Sequence, residues 1–329
     1  MSDVAERTEY DDGDFADSLA ARIAEVEAME IAVSSAPSFV DWSTFWERDR
    51  SPADWVDEGV LARGRSHAIY ASHKTGKSLF MLERAARIAA KKQAVVVYLD
   101  YEMTAEDLFE RLDEMAYGPE SDLSRLKYAL LPTLPPLDTT AGAAALLGLL
   151  DGVQADYPGE HLVVVIDTTG RAVEGDENSA DTVRAFYRWT GLVLKQRGIT
   201  WARLDHAGKD ATRGQRGSSA KGDDVDIVWR LARTDNGLEL LRDAARMSWV
   251  PEKTTFQILS DPLQFVAVRA AWPAGTKDVA TLLDLLGIDL GAGERPAGKA
   301  LRDAGHHHAQ TVVRAAVKYR RQTASDAGR

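Results

Sequence analysis

An α/β fold with a mostly parallel sheet is predicted by three observations. A short apolar run, Ala68-Ile69-Tyr70, leads into Ala71-Ser72-His73-Lys74-Thr75-Gly76-Lys77-Ser78 and then into a helical pattern from Leu79 to Ala90. Apolar runs rich in Val and Ile, Ala94 to Leu99 and His161 to Ile166, alternate with helical stretches, as in a sheet covered on both faces. Each of those runs closes on a carboxylate, Asp100 and Asp167, where an open parallel sheet holds its ligands.

In chain order, residues 1–38 read as an acidic extension with an amphipathic helix around Leu19 to Ile31. The segment from Phe39 to Leu61 is rich in tryptophan (Trp42, Trp46, Trp55), and Ser51-Pro52-Ala53-Asp54 resembles a helix start. Its aromatics can stack on a base, but packing onto the core is the reading favoured here. The first strand is Ala68 to Tyr70, followed by a helix from Ser78 to Ala90 and a buried strand ending at Asp100-Tyr101-Glu102. A helix over Ala105 to Met115, a Pro-rich connection over Leu131 to Leu137 and a helix over Ala141 to Leu150 precede the strand that closes on Asp167. A long helix is predicted over Thr182 to Arg197, then a strand over Ile199 to Leu204 with Asp205-His206 at its end. Beyond the Gly/Ser/Arg loop 208–221, Val225 to Leu231 is a further strand. The turn signal Asp235-Asn236-Gly237 starts an antiparallel edge over Leu238 to Leu241, Thr255 to Leu259 and Phe265 to Val268. After Trp272-Pro273 three short helices are expected, over Val279 to Leu286, Gly298 to Ala304 and Gln310 to Arg321. The last is basic, which fits a helix-turn-helix or winged-helix module; a small helical cap is the competing reading. The domain division expected is therefore 1–38, 39–271 and 272–329.

Composition narrows the classes. The 329 residues suit a large α/β core with one small appendage, and the absence of cysteine excludes disulfides, thiolate zinc sites and a cysteine nucleophile. No basic-then-apolar leader and no run of membrane-spanning length is present, so the expected location is cytoplasmic, away from any membrane. A net charge of −11 argues against a nucleic-acid partner, but the charge is uneven. The acids crowd the first forty residues, whereas Arg295, Lys299, Arg302, Arg314, Lys318, Arg320, Arg321 and Arg329 crowd the last stretch.

The chemistry centres on the Gly-Lys-Ser loop. Its successive main-chain N–H groups form a concave anion nest, and the helix that starts there adds its positive end. Ser72, His73, Lys74, Thr75, Gly76, Lys77, Ser78 and Leu79 are the binding candidates. Lys77 is placed to reach β- and γ-phosphates, and the Ser78 hydroxyl to hold Mg²⁺. Ala71 stands where the phosphate-loop pattern asks for glycine, so a slightly altered first turn is expected. Asp167 is the candidate to serve Mg²⁺ alongside Ser78. Glu102 is preferred as the group that takes a proton from the attacking water, with Asp100 competing. His206 can hydrogen-bond a γ-phosphate or be a structural histidine. The loop Arg213-Gly214-Gln215-Arg216-Gly217-Ser218-Ser219 can contact phosphates, send an arginine into a neighbouring subunit, or be a solvated loop. His306-His307-His308 can bind metal, although adjacent histidines on a turn are usually solvent-exposed.

As a set, Gly76-Lys77-Ser78, Tyr98-Leu99-Asp100-Tyr101-Glu102, Val165-Ile166-Asp167-Thr168, Gly175-Asp176-Glu177-Asn178, Leu204-Asp205-His206-Ala207-Gly208-Lys209 and Arg216-Gly217-Ser218-Ser219 resemble the RecA-like ATPases of the hexameric helicase branch, most closely the RepA-like plasmid and phage replication ATPases. The match covers about residues 60 to 245. The resemblance implies a RecA-like P-loop fold, with Glu102 activating water, Asp167 serving Mg²⁺ and His206 sensing γ-phosphate. It implies Arg216 as an arginine supplied in trans and Arg111 as an arginine near the nucleotide. The family carries a His-His pair where this chain has Asp205-His206, which puts the rate of hydrolysis in question rather than binding. The expected function is a Mg²⁺-dependent, ATP-hydrolysing ring that acts on DNA, chiefly single-stranded, as a helicase or translocase in replication or recombination. A P-loop kinase and a non-processive, ATP-bound DNA adaptor or loader are the alternatives.

Overall fold

A computed structural model of the chain describes residues 39–46, 54–207, 220–235, 237–268 and 273–327. The acidic extension expected over residues 1–38 and the loop carrying Arg213 and Arg216 lie outside the described residues. The chain divides into two compact units, Met1–Val268 and Arg269–Arg329.

In the larger unit, a short helix α1 (Trp42–Phe45) precedes a two-stranded hairpin, β1 (Trp55–Asp57) and β2 (Leu61–Ala62). Then follow β3 (Ser66–Ala71), α2 (Lys77–Ala90), β4 (Val95–Asp100), α3 (Ala105–Glu114), β5 (Leu126–Leu130), α4 (Thr140–Asp156) and β6 (Leu162–Asp167). After α5 (Thr169–Ala172) and α6 (Ala180–Phe186) come a π-helical turn (Tyr187–Gly191) and α7 (Leu192–Gln196). The unit ends with β7 (Thr200–His206), α8 (Ala220–Asp223), β8 (Ile227–Thr234), β9 (Gly237–Ala245), β10 (Lys253–Ser260) and β11 (Leu263–Val268).

The nine-stranded sheet runs in the order β11-β10-β9-β8-β3-β7-β6-β4-β5. From β8 to β5 all neighbours are parallel, and β9, β10 and β11 extend it as the expected antiparallel edge. Side-chain alternation assigns the two faces. Ile69 and Ala71, Val96 and Tyr98, Val163 and Val165 point to the face covered by Phe80, Met81, Ala85 and Ile88 of α2. Ala68 and Tyr70, Val95, Val97 and Leu99, Val164 and Ile166 point to the other, covered by Leu146 and Leu150 of α4, Phe186 of α6 and Leu194 of α7. A fully buried side chain of this size contributes about 1.5–3 kcal/mol, so these runs fix the helices that carry the loops. Because β3 is followed by α2 and then by β4, which lies beyond β7 and β6 in the sheet, those two strands come to lie beside the loop that follows β3.

Four sequence expectations are corrected. The Ser51-Pro52-Ala53 helix start lies outside the described residues, and from Trp55 the chain is strand instead of helix: Trp55–Asp57 pairs antiparallel with Leu61–Ala62 and buries Val56 and Val60. Strand β5 is absent from the expected elements; as the outer parallel strand it is only half-buried and lacks the apolar run that marks the others. The long helix over Thr182 to Arg197 is interrupted by the π turn, where Gly191 lies against the Trp201 indole. Trp55 packs edge-on against Trp249 at 5.1 Å, as favoured. Trp42 and Trp46, however, remain 63% and 66% exposed, so α1 does not pack its aromatics onto the core.

The smaller unit holds α9 (Thr276–Leu285), α10 (Glu294–Asp303) and α11 (Gln310–Ala327), packed around Val279, Leu283, Ala297, Leu301, Val313, Ala316 and Val317. Among the described residues no helix is long and apolar enough to cross a membrane.

Candidate functional site

The loop after β3 is shaped by two positive-φ residues, Lys74 (φ 61°) and Gly76 (φ 95°), the latter forming the N-cap of α2. A Cβ at Gly76 would meet nothing within 4 Å, so backbone conformation rather than space calls for glycine there. Ala71, by contrast, is the last residue of β3 with ordinary extended backbone, and its carbonyl accepts Ala207 N at 2.8 Å. The missing glycine therefore adds no backbone strain, and the altered turn expected at that position is not needed. Ser72, His73 and Lys74 are exposed, and the Thr75 hydroxyl donates to the Ser72 carbonyl at 2.8 Å. Leu79 directs its side chain into the apolar cluster of Leu82, Met103 and Met115, leaving only its main chain to the loop.

Lys77 is buried, and its Nζ donates to the Asp205 carbonyl at 3.1 Å. Burial lowers its pKa, opposed by the charges of Asp167, Asp205, Glu102 and Glu177, which all face it. Next in sequence, the Ser78 hydroxyl donates to Asp167 Oδ1 at 3.0 Å, and Tyr98 OH donates to Asp167 Oδ2 at 2.7 Å. Burial raises the Asp167 pKa, partly offset by the Tyr98 hydrogen bond and the Lys77 charge. The register Asp100↔Asp167 between β4 and β6 sets both acids at one end of the sheet.

Asp100 and Glu102, which compete on sequence, separate in the structure. Asp100 is fully buried; its Oδ1 accepts Glu102 N at 2.8 Å and Met103 N at 3.0 Å, and its Oδ2 accepts Tyr128 OH at 2.5 Å. Asp100 thus holds the turn, whereas Glu102 carries its carboxylate beyond it. Glu102 Oε1 accepts the Thr168 hydroxyl and Arg171 Nε, both at 3.2 Å. His206, at the end of β7, is half-buried, with its pKa lowered by burial and by the Lys77 charge. Its ring lies 6.4 Å from that of His73. Asp205, the departure from the family pair, is buried in an ion pair with Arg203 Nε at 3.0 Å and offers Lys77 only its carbonyl.

The structure thus brings Lys77, Ser78, Asp167, Glu102 and His206 to neighbouring strand ends, while Arg216 lies outside the described residues. Arg111 lies on the β5 side, where its charge acts on the Tyr128 hydroxyl. Sequence reasoning missed the pair Tyr98 and Tyr128, stacked at 4.8 Å in register across β4 and β5, each orienting one acid. It also missed Arg171 and Glu177, whose charges reach Glu102 and Lys77. A tyrosine inside a Val/Leu strand two residues before an acid was the available signal, since a buried hydroxyl needs a partner.

Hydroxyl and carboxylate oxygens side by side at Ser78 and Asp167 are the hard donor set that Mg²⁺ takes, and the carboxylates facing Lys77 outnumber it. The residues present therefore fit a divalent cation with a bound phosphate.

Comparison with known proteins gives three findings. The AAA domain family matches residues 34–212, which contain the loop, Glu102, Asp167 and His206. Among solved structures, a helicase ATPase domain superposes with a TM-score of 0.52 at 14% identity, over 63% of this chain and 86% of that one. No curated protein matches the chain. The superposition agrees with the sheet order in assigning a RecA-like P-loop fold.

Proposed function

The chain belongs to the AAA domain family, and from that premise we propose that it is a Mg²⁺-dependent ATPase that couples ATP hydrolysis to movement on DNA, as a helicase or translocase in replication or recombination. One observation carries the reading: Lys77, Ser78, Asp167 and Glu102, from three different segments, meet at the ends of adjacent parallel strands. Main-chain N–H groups of Ser72 to Leu79 bind the β- and γ-phosphates, and the buried Lys77 ammonium fixes the γ-phosphate against the strand ends. Ser78 and Asp167 would hold Mg²⁺, which when bound neutralises phosphate charge as it develops. Glu102, held by Thr168 and Arg171, accepts the proton of the attacking water, and His206 lies where it can hydrogen-bond a γ-phosphate oxygen. Arg216, from a neighbouring copy in a ring, is the proposed source of the remaining positive charge. The division into 1–38, 39–271 and 272–329 belongs to the same proposal, with single-stranded DNA as the partner and the cytoplasm as its setting.

The deciding experiment is phosphate release by the full chain with Mg²⁺ and ATP, with and without single-stranded DNA. Wild-type turnover stimulated by DNA and abolished in Lys77→Ala is expected. Turnover that ignores DNA would sink the coupling, and turnover that survives Lys77→Ala would sink the site.

A further inference from the structure

The basic last helix is the part of the smaller unit that the sequence offers to nucleic acid, but the structure gives most of its arginines internal duties. Arg314 Nε pairs with Glu294 at 2.7 Å, and Arg320 Nε with Asp284 at 2.6 Å. Arg321 donates to the carbonyls of Leu290, Gly291 and Ala292 at 2.9, 3.0 and 3.2 Å. These bonds tie α11 to α9, to α10 and to the segment between them, and leave Lys318 as its exposed, unpaired cation among the described side chains.

The cations left over lie elsewhere. A cleft of about 540 Å³ opens between α10 and the turn that leads into α11, walled by Arg295, Lys299, Arg302 and the run His306, His307, His308. The spacing of Arg295, Lys299 and Arg302 puts all three on one face of α10. Arg295 and Arg302 have no ion pair among the described residues, and Lys299 makes only an exposed pair with Asp303 at 3.6 Å. Gly298 sits beneath them: a Cβ there would come within 3.4 Å of Arg302 Nη1, so glycine lets the guanidinium lie along the helix. The floor is apolar, from Leu301 and Val313, and the one acid in the lining, Glu294, is taken up by Arg314. Gly305 (φ 82°) turns the chain so that His306 and His308 stand with near-parallel rings 6.4 Å apart.

Three exposed cations around a roomy cleft, in a chain of net charge −11, suit a polyanion, and the adjoining flat rings suit unpaired bases. We propose that this cleft, rather than α11, is where the smaller unit grips single-stranded DNA, with Arg295, Lys299 and Arg302 on consecutive phosphates and the histidine rings against bases. The inference rests on the reading above that the protein acts on DNA.

Fluorescence anisotropy of the full chain with a labelled oligothymidylate tests it, with DNA-free ATP turnover measured in parallel. The triple variant R295A/K299A/R302A should bind at least about tenfold more weakly and lose about 2 from the slope of log K against log salt, at roughly 0.7 per phosphate contact. Its DNA-free turnover should be unchanged. Replacing His306, His307 and His308 by serine should weaken binding several-fold at pH 8 with the slope kept, whereas Lys318→Ala should change neither. Wild-type affinity and slope in the triple variant would overturn the cleft while leaving the ATPase reading intact. Failure of the wild type to bind the oligonucleotide would remove the DNA reading itself. Displacement of the oligonucleotide by free thymidine monophosphate at comparable concentration would overturn the strand in favour of a mononucleotide pocket.

Discussion

The two ends of strand β3 are buried to a similar degree and do opposite things. At its start, Ser66 N and Oγ donate to Asp226 Oδ2 at 3.2 and 3.0 Å, Lys195 caps Asp226 Oδ1 at 2.7 Å, and Ala62 N donates to His67 Nε2 at 3.0 Å. His67 Nδ1 in turn donates to the Trp201 carbonyl at 3.1 Å, so each of these groups has its partner and the charges balance. Burial pushes the Asp226 pKa up, but the Lys195 and Ser66 donors hold it below its ordinary value. At the other end a single buried lysine, Lys77, faces Asp167, Asp205, Glu102 and Glu177. The closed network stabilises the fold; the unbalanced one is stable only as a place for a cation and a phosphate. Substitutions at the first end should therefore change stability and leave turnover alone, and substitutions at the second should do the reverse.

The largest effect is expected at Glu102. Glu102→Gln keeps the bonds from Thr168 and Arg171 but cannot accept a proton, so turnover should fall by about 10²- to 10⁴-fold while ATP binding persists. Asp100→Asn should do the opposite, because it disturbs the bonds to Glu102 N, Met103 N and Tyr128 OH: a lower melting temperature with turnover following only in proportion to folded protein. Equal losses of turnover in both, at equal stability, would erase the distinction drawn between the two acids.

A smaller effect is expected at Tyr98. Removing its hydroxyl in Tyr98→Phe leaves Asp167 Oδ2 buried without this donor, at a cost of about 1–3 kcal/mol. Since that hydrogen bond helps keep the Asp167 pKa from rising further, the variant should need several-fold more Mg²⁺ for half-maximal turnover, most visibly at acidic pH. An unchanged Mg²⁺ requirement would mean that Tyr98 serves the core alone.

How much of this was legible in the sequence follows the same divide. The loop, Asp167 and Glu102 could be read because each depends on local order: a strand, a tight turn, a helix start, an acid closing an apolar run. The antiparallel edge was legible from Asp235-Asn236-Gly237 for the same reason. What escaped depends on which strands become neighbours. Tyr98 and Tyr128 stack only because β4 pairs with β5, and β5 itself, half-buried at the margin of the parallel strands, carries no continuous apolar run. The arginines of α11 look like a nucleic-acid surface until Asp284, Glu294 and the 290–292 carbonyls are folded against them. Trp42 and Trp46 show the converse, an apolar composition that the fold leaves exposed.

The closed end of β3 provides the smallest and most selective test. His67 is fully buried, and burial lowers its pKa from 6.5 to about 4. Its neutral tautomer is the one that accepts from Ala62 and donates to Trp201; a second proton on Nε2 would displace the Ala62 bond. The unfolded imidazole takes up its proton near 6.5 and the folded one only near 4, so this contribution to stability is complete above 6.5 and is lost as the pH falls toward 4. Its full size is about 3 kcal/mol, at roughly 1.4 kcal/mol for each unit of pKa. His161, also lowered to about 4 by burial, adds to the same loss and remains in the variant, so only the difference between the two proteins is diagnostic. His67→Gln can keep one acceptor and one donor but has no proton to gain. Its melting temperature should fall less steeply than that of the wild type between pH 6.5 and 4, while turnover per folded molecule at neutral pH stays the same. Parallel melting curves across that range would show that the closed network does not depend on a neutral histidine, and a loss of turnover would show that the two ends of β3 are not independent.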